Sequence, residues 1–298
     1  MLGPVLAILV VSAFMHAGWN LLAKRRQSDA PRFMLRMYLI IAAAGLIPAG
    51  ACEWAMGPMP AKAWFCTAVS GVFSAFYSLG LAKGYASADF TVVYPVARAL
   101  PVMIVALGDV AFGRYPTGGG WAGMSLVTVG CFLAPLHSLR EFHPSVYFHR
   151  STAWMLLAAL GTVGYTLTDK LAMGFLSTGP VSALRYGYAY FAFTGVFYAL
   201  LWSLFARHDS THEKPEWRIG ALGALMIFGG YALILWVYQL MERASYVLAF
   251  RQLSIVIGVL FAFHIYREKG KAVRLTAAGL IGLGLVVIGV WGHAVAPG

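Results

Sequence analysis

The chain has 298 residues, of which 60% are hydrophobic and only 11% are charged, and its formal net charge is +11. A soluble domain carries about 25% charged residues, so a water-soluble fold is excluded, and the basic excess reads as membrane topology and not as a nucleic-acid footprint. Three scattered cysteines, Cys52, Cys66 and Cys131, form neither a disulfide framework nor a metal-binding spacing.

A transmembrane helix needs about 20 mostly apolar residues. Ten runs meet this in chain order: 2–22, 33–51, 64–82, 90–112, 119–137, 153–172, 181–205, 218–238, 245–266 and 273–293. The first opens as "MLGPVLAILVVSAF", with no basic residue before it and "KRR" after it. That is the reverse of a cleavable signal peptide and predicts a first span with its N-terminus outside. The connections are short, and the longest, "SLREFHPSVYFHRST" at 138–152, falls at the midpoint. Fourteen Lys and Arg residues lie in the loops after spans one, three, five, seven and nine, against four (Lys62, Arg114, Lys170 and Arg243) on the opposite face. Basic residues gather in cytoplasmic loops, so both termini are predicted outside, in a multi-pass protein of the inner (plasma) membrane.

The stretch "GTVGYTLTDK" (161–170) contains TVGY, the opening of a potassium-channel filter. An internal repeat accounts for it differently. A shift of 146 lays "HAGWNLLAK" (16–24) on "TVGYTLTDK" (162–170), matching Gly18 with Gly164, Trp19 with Tyr165 and Lys24 with Lys170. A shift of 149 pairs Arg36 with Arg185, and one of 153 pairs Arg98 with Arg251 and Arg114 with Arg267. TVGY is thus the counterpart of AGWN in the first span, and Thr166 stands where a filter needs Gly. Each half holds five spans, an odd number, so the second half must enter the membrane upside down, as in inverted-repeat transporters whose site lies near the midplane. The expected fold is an all-α membrane protein of ten transmembrane helices in two inverted five-helix repeats, 1–140 and 153–298, with 141–152 as linker.

Several stretches carry a family resemblance: "HAGWNLLAK", "LRMY", "VVYPVARALPVMIVALGDVAFGRYPTGGGWAGMSLVTVGCFL" and its partner "LAFRQLSIVIGVLFAFHIYREKGKAVRLTAAGLIGLGLVVIG". They resemble the drug/metabolite transporter superfamily, and within it the EamA-like exporters, with a mid-helix Pro, an acidic residue closing the fourth or ninth span, and then a Gly-spaced helix. There are departures. The closing acid is Glu268 in the second half but Tyr115 in the first, and Pro101 of the first half is Ser254 in the second. The start "HAGWN" is also similar to a subgroup associated with phosphonate use.

Ionisable residues inside spans usually face a cavity or a partner. Arg98 lies roughly 12 Å into the fourth span and Arg251 roughly 9 Å into the ninth, from opposite faces, at 1.5 Å per residue. Two readings stay open: both bind a substrate oxyanion, or both are structural. Arg36 and Arg185 open the second and seventh spans as vestibule contacts or snorkelling residues. His16 is a proton carrier or a helix-to-helix hydrogen bond. Trp19, with Asn20 beside it, and Tyr165 are symmetric cavity walls, and Tyr94 and Tyr231 line the same space. Tyr77, Tyr186, Tyr190, Trp236 and Tyr238 read as interface anchors. Asp109, Asp169 and His264 lie near span ends, with Asp169, beside Lys170, at the interface. Gly80 and Gly84, and Gly279, Gly282, Gly284 and Gly289, read as close-packing positions.

The resulting expectation is a secondary transporter, an exporter of a small anionic or zwitterionic metabolite such as an amino acid, working by alternating access, with the solute, protons and the lipid bilayer as its partners and with proton coupling, exchange and facilitated diffusion all open. The alternatives are a flippase for a lipid-linked phosphate or headgroup, and a transporter of a phosphonate-related solute. The first span has no acid, so the multidrug-cation mode of small relatives does not fit. No HExxH, GxSxG, P-loop or paired-acid motif points to an enzyme. No cofactor, metal or nucleic acid is expected.

Overall fold

A computed structural model of the chain describes residues 2–25, 29–87, 90–136, 138, 152–205, 216–266 and 271–292. Apolar runs broken by Pro, Gly and charged residues become helices: α1 (Leu2–Arg25), α2 (Ala30–Met56), α3 (Ala61–Ser87), α4 (Phe90–Ala111), α5 (Gly118–Leu133), α6 (Thr152–Met173), α7 (Pro180–Phe205), α8 (Trp217–Leu240), α9 (Ala244–Arg251), α10 (Leu253–Tyr266) and α11 (Lys271–Trp291). Pro31 sits at the start of α2, where a missing N–H costs nothing. Thr117 caps α5, its hydroxyl accepting the Gly120 N–H at 3.0 Å. Each of the ten expected runs lies on a helix, but the ninth is two helices. Most of the linker expected at 141–152, together with Arg267 and Glu268, lies outside the described residues.

Among the described residues, seven helical stretches are long and apolar enough to cross a membrane, α9 and α10 counting as one, and the chain is a multi-pass membrane protein. The helix α5 is apolar but shorter, whereas α4 and α6 carry buried ionisable residues, Arg98 and Asp109 on α4 and Asp169 on α6. The two halves of the chain interleave. Helix α1 packs on α8 and α10, α3 on α6 and α7, α2 on α7 and α8, α4 on α6 and α9, and α5 on α11.

Glycine allows the closest of these approaches. A Cβ on Gly123 would lie 2.6 Å from the Gly284 carbonyl oxygen, so α5 and α11 meet backbone to backbone. Nothing lies within 4 Å of a Cβ at Gly279 or Gly282, which corrects the reading of those two as packing positions. Residues 162–165 are continuous helix with Gly161 against α3, so TVGY is a packing face and not a filter.

The ninth span breaks at Gln252 without a proline. The Arg251 carbonyl accepts instead from the Ser254 hydroxyl at 2.8 Å and from Arg98 Nη2 at 3.2 Å. Ser254, at the position matching Pro101, thus completes the break that a proline would have signalled, while α4 runs through Pro101 unbroken. A freed carbonyl inside a membrane needs such partners.

Opposite charges hold the turn between α8 and α9. Lys170 Nζ donates to the Tyr238 and Met241 carbonyls at 2.5 and 2.6 Å, closing the carbonyl end of α8. The Asp109 carboxylate accepts the Ser245 N–H at 2.8 Å and the Ala244 N–H at 3.3 Å, closing the amide end of α9, and pairs with Arg114 at 3.1 Å. These are the signs that the helix dipoles favour. Lys170→Met is expected to cost about 2 kcal/mol, because two charge-assisted hydrogen bonds are lost. A lowered unfolding midpoint in detergent checks this.

Candidate functional site

Seven helices converge on one small cavity of about 20 Å³. His16 and Trp19 of α1, Tyr165 of α6 and Arg251 of α9 form part of its wall, with Tyr231 and Ile227 of α8. Tyr38 of α2, Ser74 and Tyr77 of α3, and Tyr190 and Phe191 of α7 complete it. Arg251 is the last of the eight residues of α9, roughly 10 Å from the start of that helix at 1.5 Å per residue.

Arg251 is only 4% exposed. Its guanidinium lies over the rings of Tyr231 and Tyr165, at 5.3 and 5.7 Å from their centroids, and Nη2 donates to the Tyr165 hydroxyl at 3.2 Å. Among the described residues its Nε and Nη1 have no hydrogen-bond partner, and neither has the indole N–H of Trp19. Every one of these unmet groups is a donor. Buried donors are almost always satisfied, so this wall is complementary to an acceptor-rich, negatively charged group. The aromatic side of the cavity is itself rigid: Tyr190 stacks on Tyr231 at 4.8 Å, and Tyr165 meets Tyr231 edge-on at 5.7 Å.

His16 Nδ1 lies 2.8 Å from the Ser12 carbonyl, which can only accept, so Nδ1 carries the hydrogen. Neutral His16 therefore offers Nε2 as an acceptor. Its hydrogen bond runs along its own helix, and Ser12, not His16, bridges to α8 by donating to the Gly230 carbonyl at 2.7 Å.

The other expected site residues lie elsewhere. Arg98 is buried, but it donates Nε–H to Gln252 Oε1 at 2.9 Å and supports the break in the ninth span. Asn20 turns back on its own helix, donating to the His16 carbonyl at 2.6 Å. Arg185 pairs with Glu53 at 2.7 Å and donates to the Gly57 carbonyl at 2.6 Å, at the edge of a separate groove of about 540 Å³ between α2, α7 and α8. Arg36 pairs with Asp29 at 2.7 Å. Tyr94 is on α4, but its side chain lies outside the described residues, as does that of His264 on α10.

Two corrections follow. Tyr77 and Tyr190 line the cavity and are not interface anchors. Asp169 is not interfacial: it is fully buried and accepts hydrogen bonds from Ser70 (2.5 Å), Tyr186 (2.7 Å) and Tyr231. The signal missed in the sequence is the recurrence of Ser70, Ser74 and Ser78 every four residues, one polar stripe on α3. Each of the three meets a hydroxyl or carboxylate: Ser70 meets Asp169, Ser74 the Tyr190 hydroxyl, and Ser78 the Tyr38 hydroxyl. Among the described residues no three His, Cys, Asp or Glu side chains form a metal-ligand set.

Fold and site together define a helical, multi-pass membrane protein enclosing an arginine in an aromatic box. Residues 3–135 match the EamA-like transporter family, and the drug/metabolite transporter superfamily fits that match. A curated relative, the riboflavin transporter of Vibrio cholerae serotype O1, is 30% identical over 122 residues. That match spans 40% of this chain and 40% of the relative. A solved crystal structure matches 98% of both chains with a TM-score of 0.68 at 17% identity, a likeness of fold alone.

Proposed function

We propose that this chain is a secondary transporter that carries a small anionic or zwitterionic metabolite, such as an amino acid, across the inner membrane by alternating access. The observation carrying this reading is the unmet donor set of Arg251 and Trp19 in a buried cavity. The cavity has room for about one water molecule, so a metabolite enters only when helices separate. The architecture proposed is two inverted five-helix repeats, 1–140 and 153–298, joined through 141–152, with both termini outside and export as the working direction. Support comes from the packing. Exchanging α1 with α6, α2 with α7, α3 with α8, α4 with the ninth span and α5 with α11 turns the α3–α6 contact into α8–α1 and α4–α6 into the contacts of α1 with α9 and α10. The same exchange returns α2–α7, α4–α9 and α5–α11 to themselves.

A panel of solutes added to the purified protein tests the reading. Carboxylates, phosphonates and zwitterions are expected to raise the unfolding midpoint and to be taken up by proteoliposomes. Riboflavin, the solute in the relative's name, would bring a flat ring to the tyrosines but no anionic group to Arg251. Stabilisation by riboflavin or by organic cations, with none by anions, overturns the proposal.

The groove between α2, α7 and α8 favours a second reading, movement of a lipid-linked phosphate or headgroup. Its lining, including Ile41, Pro48, Leu184 and Phe228, is almost wholly apolar, with Arg185 at its edge. Scrambling of a fluorescent phospholipid in the proteoliposomes, without solute uptake, would favour that reading.

A further inference from the structure

We infer that Asp169 is a proton-binding site coupled, through the Tyr231 hydroxyl, to anion binding at Arg251. This rests on the anion-site reading above and gives it a driving ion. Asp169 has no exposed surface and, among the described residues, no cationic partner at ion-pair distance. Its carboxylate is held by three neutral hydroxyls from three helices: Ser70 of α3, Tyr186 of α7 and Tyr231 of α8. Three donors on two oxygens fit the ionised form. Tyr231 is shared between two sites, since its hydroxyl is on Asp169 while its ring lies under the Arg251 guanidinium and lines the cavity.

Protonation changes what Tyr231 can offer. A proton added to the Asp169 carboxylate forms one O–H bond and breaks none within the protein. The new acid must donate, and the Tyr231 oxygen can accept it. The tyrosine hydrogen then turns from Asp169 toward the cavity, beside Arg251. Charge follows the same sense. With Asp169 ionised, Arg251 and Asp169 sum to zero across one aromatic ring; with Asp169 neutral, a buried positive charge is left for an incoming anion to balance. Buried charge without a partner is costly, so proton and anion favour each other, and by linkage each anion bound takes up a proton. The two then cross together and net flux follows the sum of the two gradients, so an inward proton gradient favours uptake and export runs only where the outward anion gradient exceeds it.

Cys66, one turn before Ser70 on α3, lines a groove of about 430 Å³ with Lys62, Phe65, Leu171 and Phe175, where α3 begins and α6 ends. The ionisable groups acting on Asp169 are Cys66 of α3, Tyr186 and Tyr190 of α7, Tyr231 and Tyr238 of α8, and Arg251 of α9. Tyr165 and Lys170 share its helix, and His16 faces Arg251 across the cavity.

Two measurements on the reconstituted full chain separate the parts. In the first, infrared difference spectra between pH 8 and pH 5.5 are expected to show a carboxylic-acid band that Asp169→Asn removes and Tyr231→Phe keeps. The second uses methanesulfonate, an oxyanion that does not titrate in this range, as the binding probe. Its affinity is expected to tighten about tenfold from pH 8 to pH 5.5 in the parent, to be tight and flat in Asp169→Asn, and to tighten by clearly less than in the parent in Tyr231→Phe, where only the charge balance remains. If Asp169→Asn does not fold, Tyr231→Phe alone still decides the coupling. Absence of the band overturns the proton site. A band with flat methanesulfonate binding in the parent overturns the coupling. Persisting pH dependence in Asp169→Asn assigns it to another group, His16 first, and also overturns the inference. A titrating band with no methanesulfonate binding at any pH overturns the anion site, and the coupling with it, while the proton site stands.

Discussion

Arg251→Ala is expected to weaken anion binding roughly a hundredfold while leaving the protein folded. Two guanidinium donors, Nε and Nη1, have no hydrogen-bond partner among the described residues, and Arg251 lines the cavity. A hydrogen bond from a charged donor contributes about 1.5 kcal/mol at the low end, so two contribute about 3 kcal/mol, and each 1.4 kcal/mol is tenfold. The fold gives up little, because the side chain makes one 3.2 Å hydrogen bond and two ring contacts. Arg251→Lys is expected to fall between, keeping the charge and losing the fork. Arg98→Ala gives the opposite pattern. It strips a donor from Gln252 Oε1 and another from the Arg251 carbonyl at the helix break, so the unfolding midpoint falls first. Titration of the best anion of the panel, alongside thermal unfolding of each variant, checks both. Equal binding by Arg251→Ala and the parent would remove Arg251 from the site.

The different roles of these two arginines mark where the sequence stops being legible. Apolar runs of span length predict helices well, because in lipid every backbone polar group must be satisfied within its own segment. The break after Arg251 has no such local signal. The sequence there is Arg-Gln-Leu, with neither Pro nor Gly, and its partner Arg98 lies 153 residues away. Asp169 was hidden for a related reason. It sits next to Lys170 near a span end, as an interfacial pair would. Neighbours on a helix point about 100° apart, and here one turns into the core while the other reaches the end of α8. For tyrosines, composition alone does not separate a membrane-interface belt from a cavity lining. Tyr77 and Tyr190 were separable only through the serine stripe of α3, a periodicity that runs beneath an otherwise apolar segment.

Gly161→Leu is expected to give the largest loss of stability of any single change considered. Helices α3 and α6 touch through this residue. A Cβ placed on Gly161 would lie 2.6 Å from the Phe73 carbonyl oxygen, 2.6 Å from the Tyr77 nitrogen and 3.0 Å from the Tyr77 Cα. All three are backbone atoms of a helix, so no side chain can rotate away to make room. Overpacking typically costs about 1–3 kcal/mol, and separation of these helices adds to it by pulling Ser70 from Asp169 and Tyr77 from Tyr165, whose rings meet at 5.7 Å. A combined loss of about 4 kcal/mol is expected once a buried carboxylate has lost one of its donors. Gly282→Leu supplies the contrast, since nothing lies within 4 Å of a Cβ there, and its unfolding midpoint in detergent is expected to match the parent. If Gly161→Leu unfolds at the parent's midpoint as well, α3 and α6 are free to slide, and the contact between them is not what fixes Tyr165 and Asp169 in place.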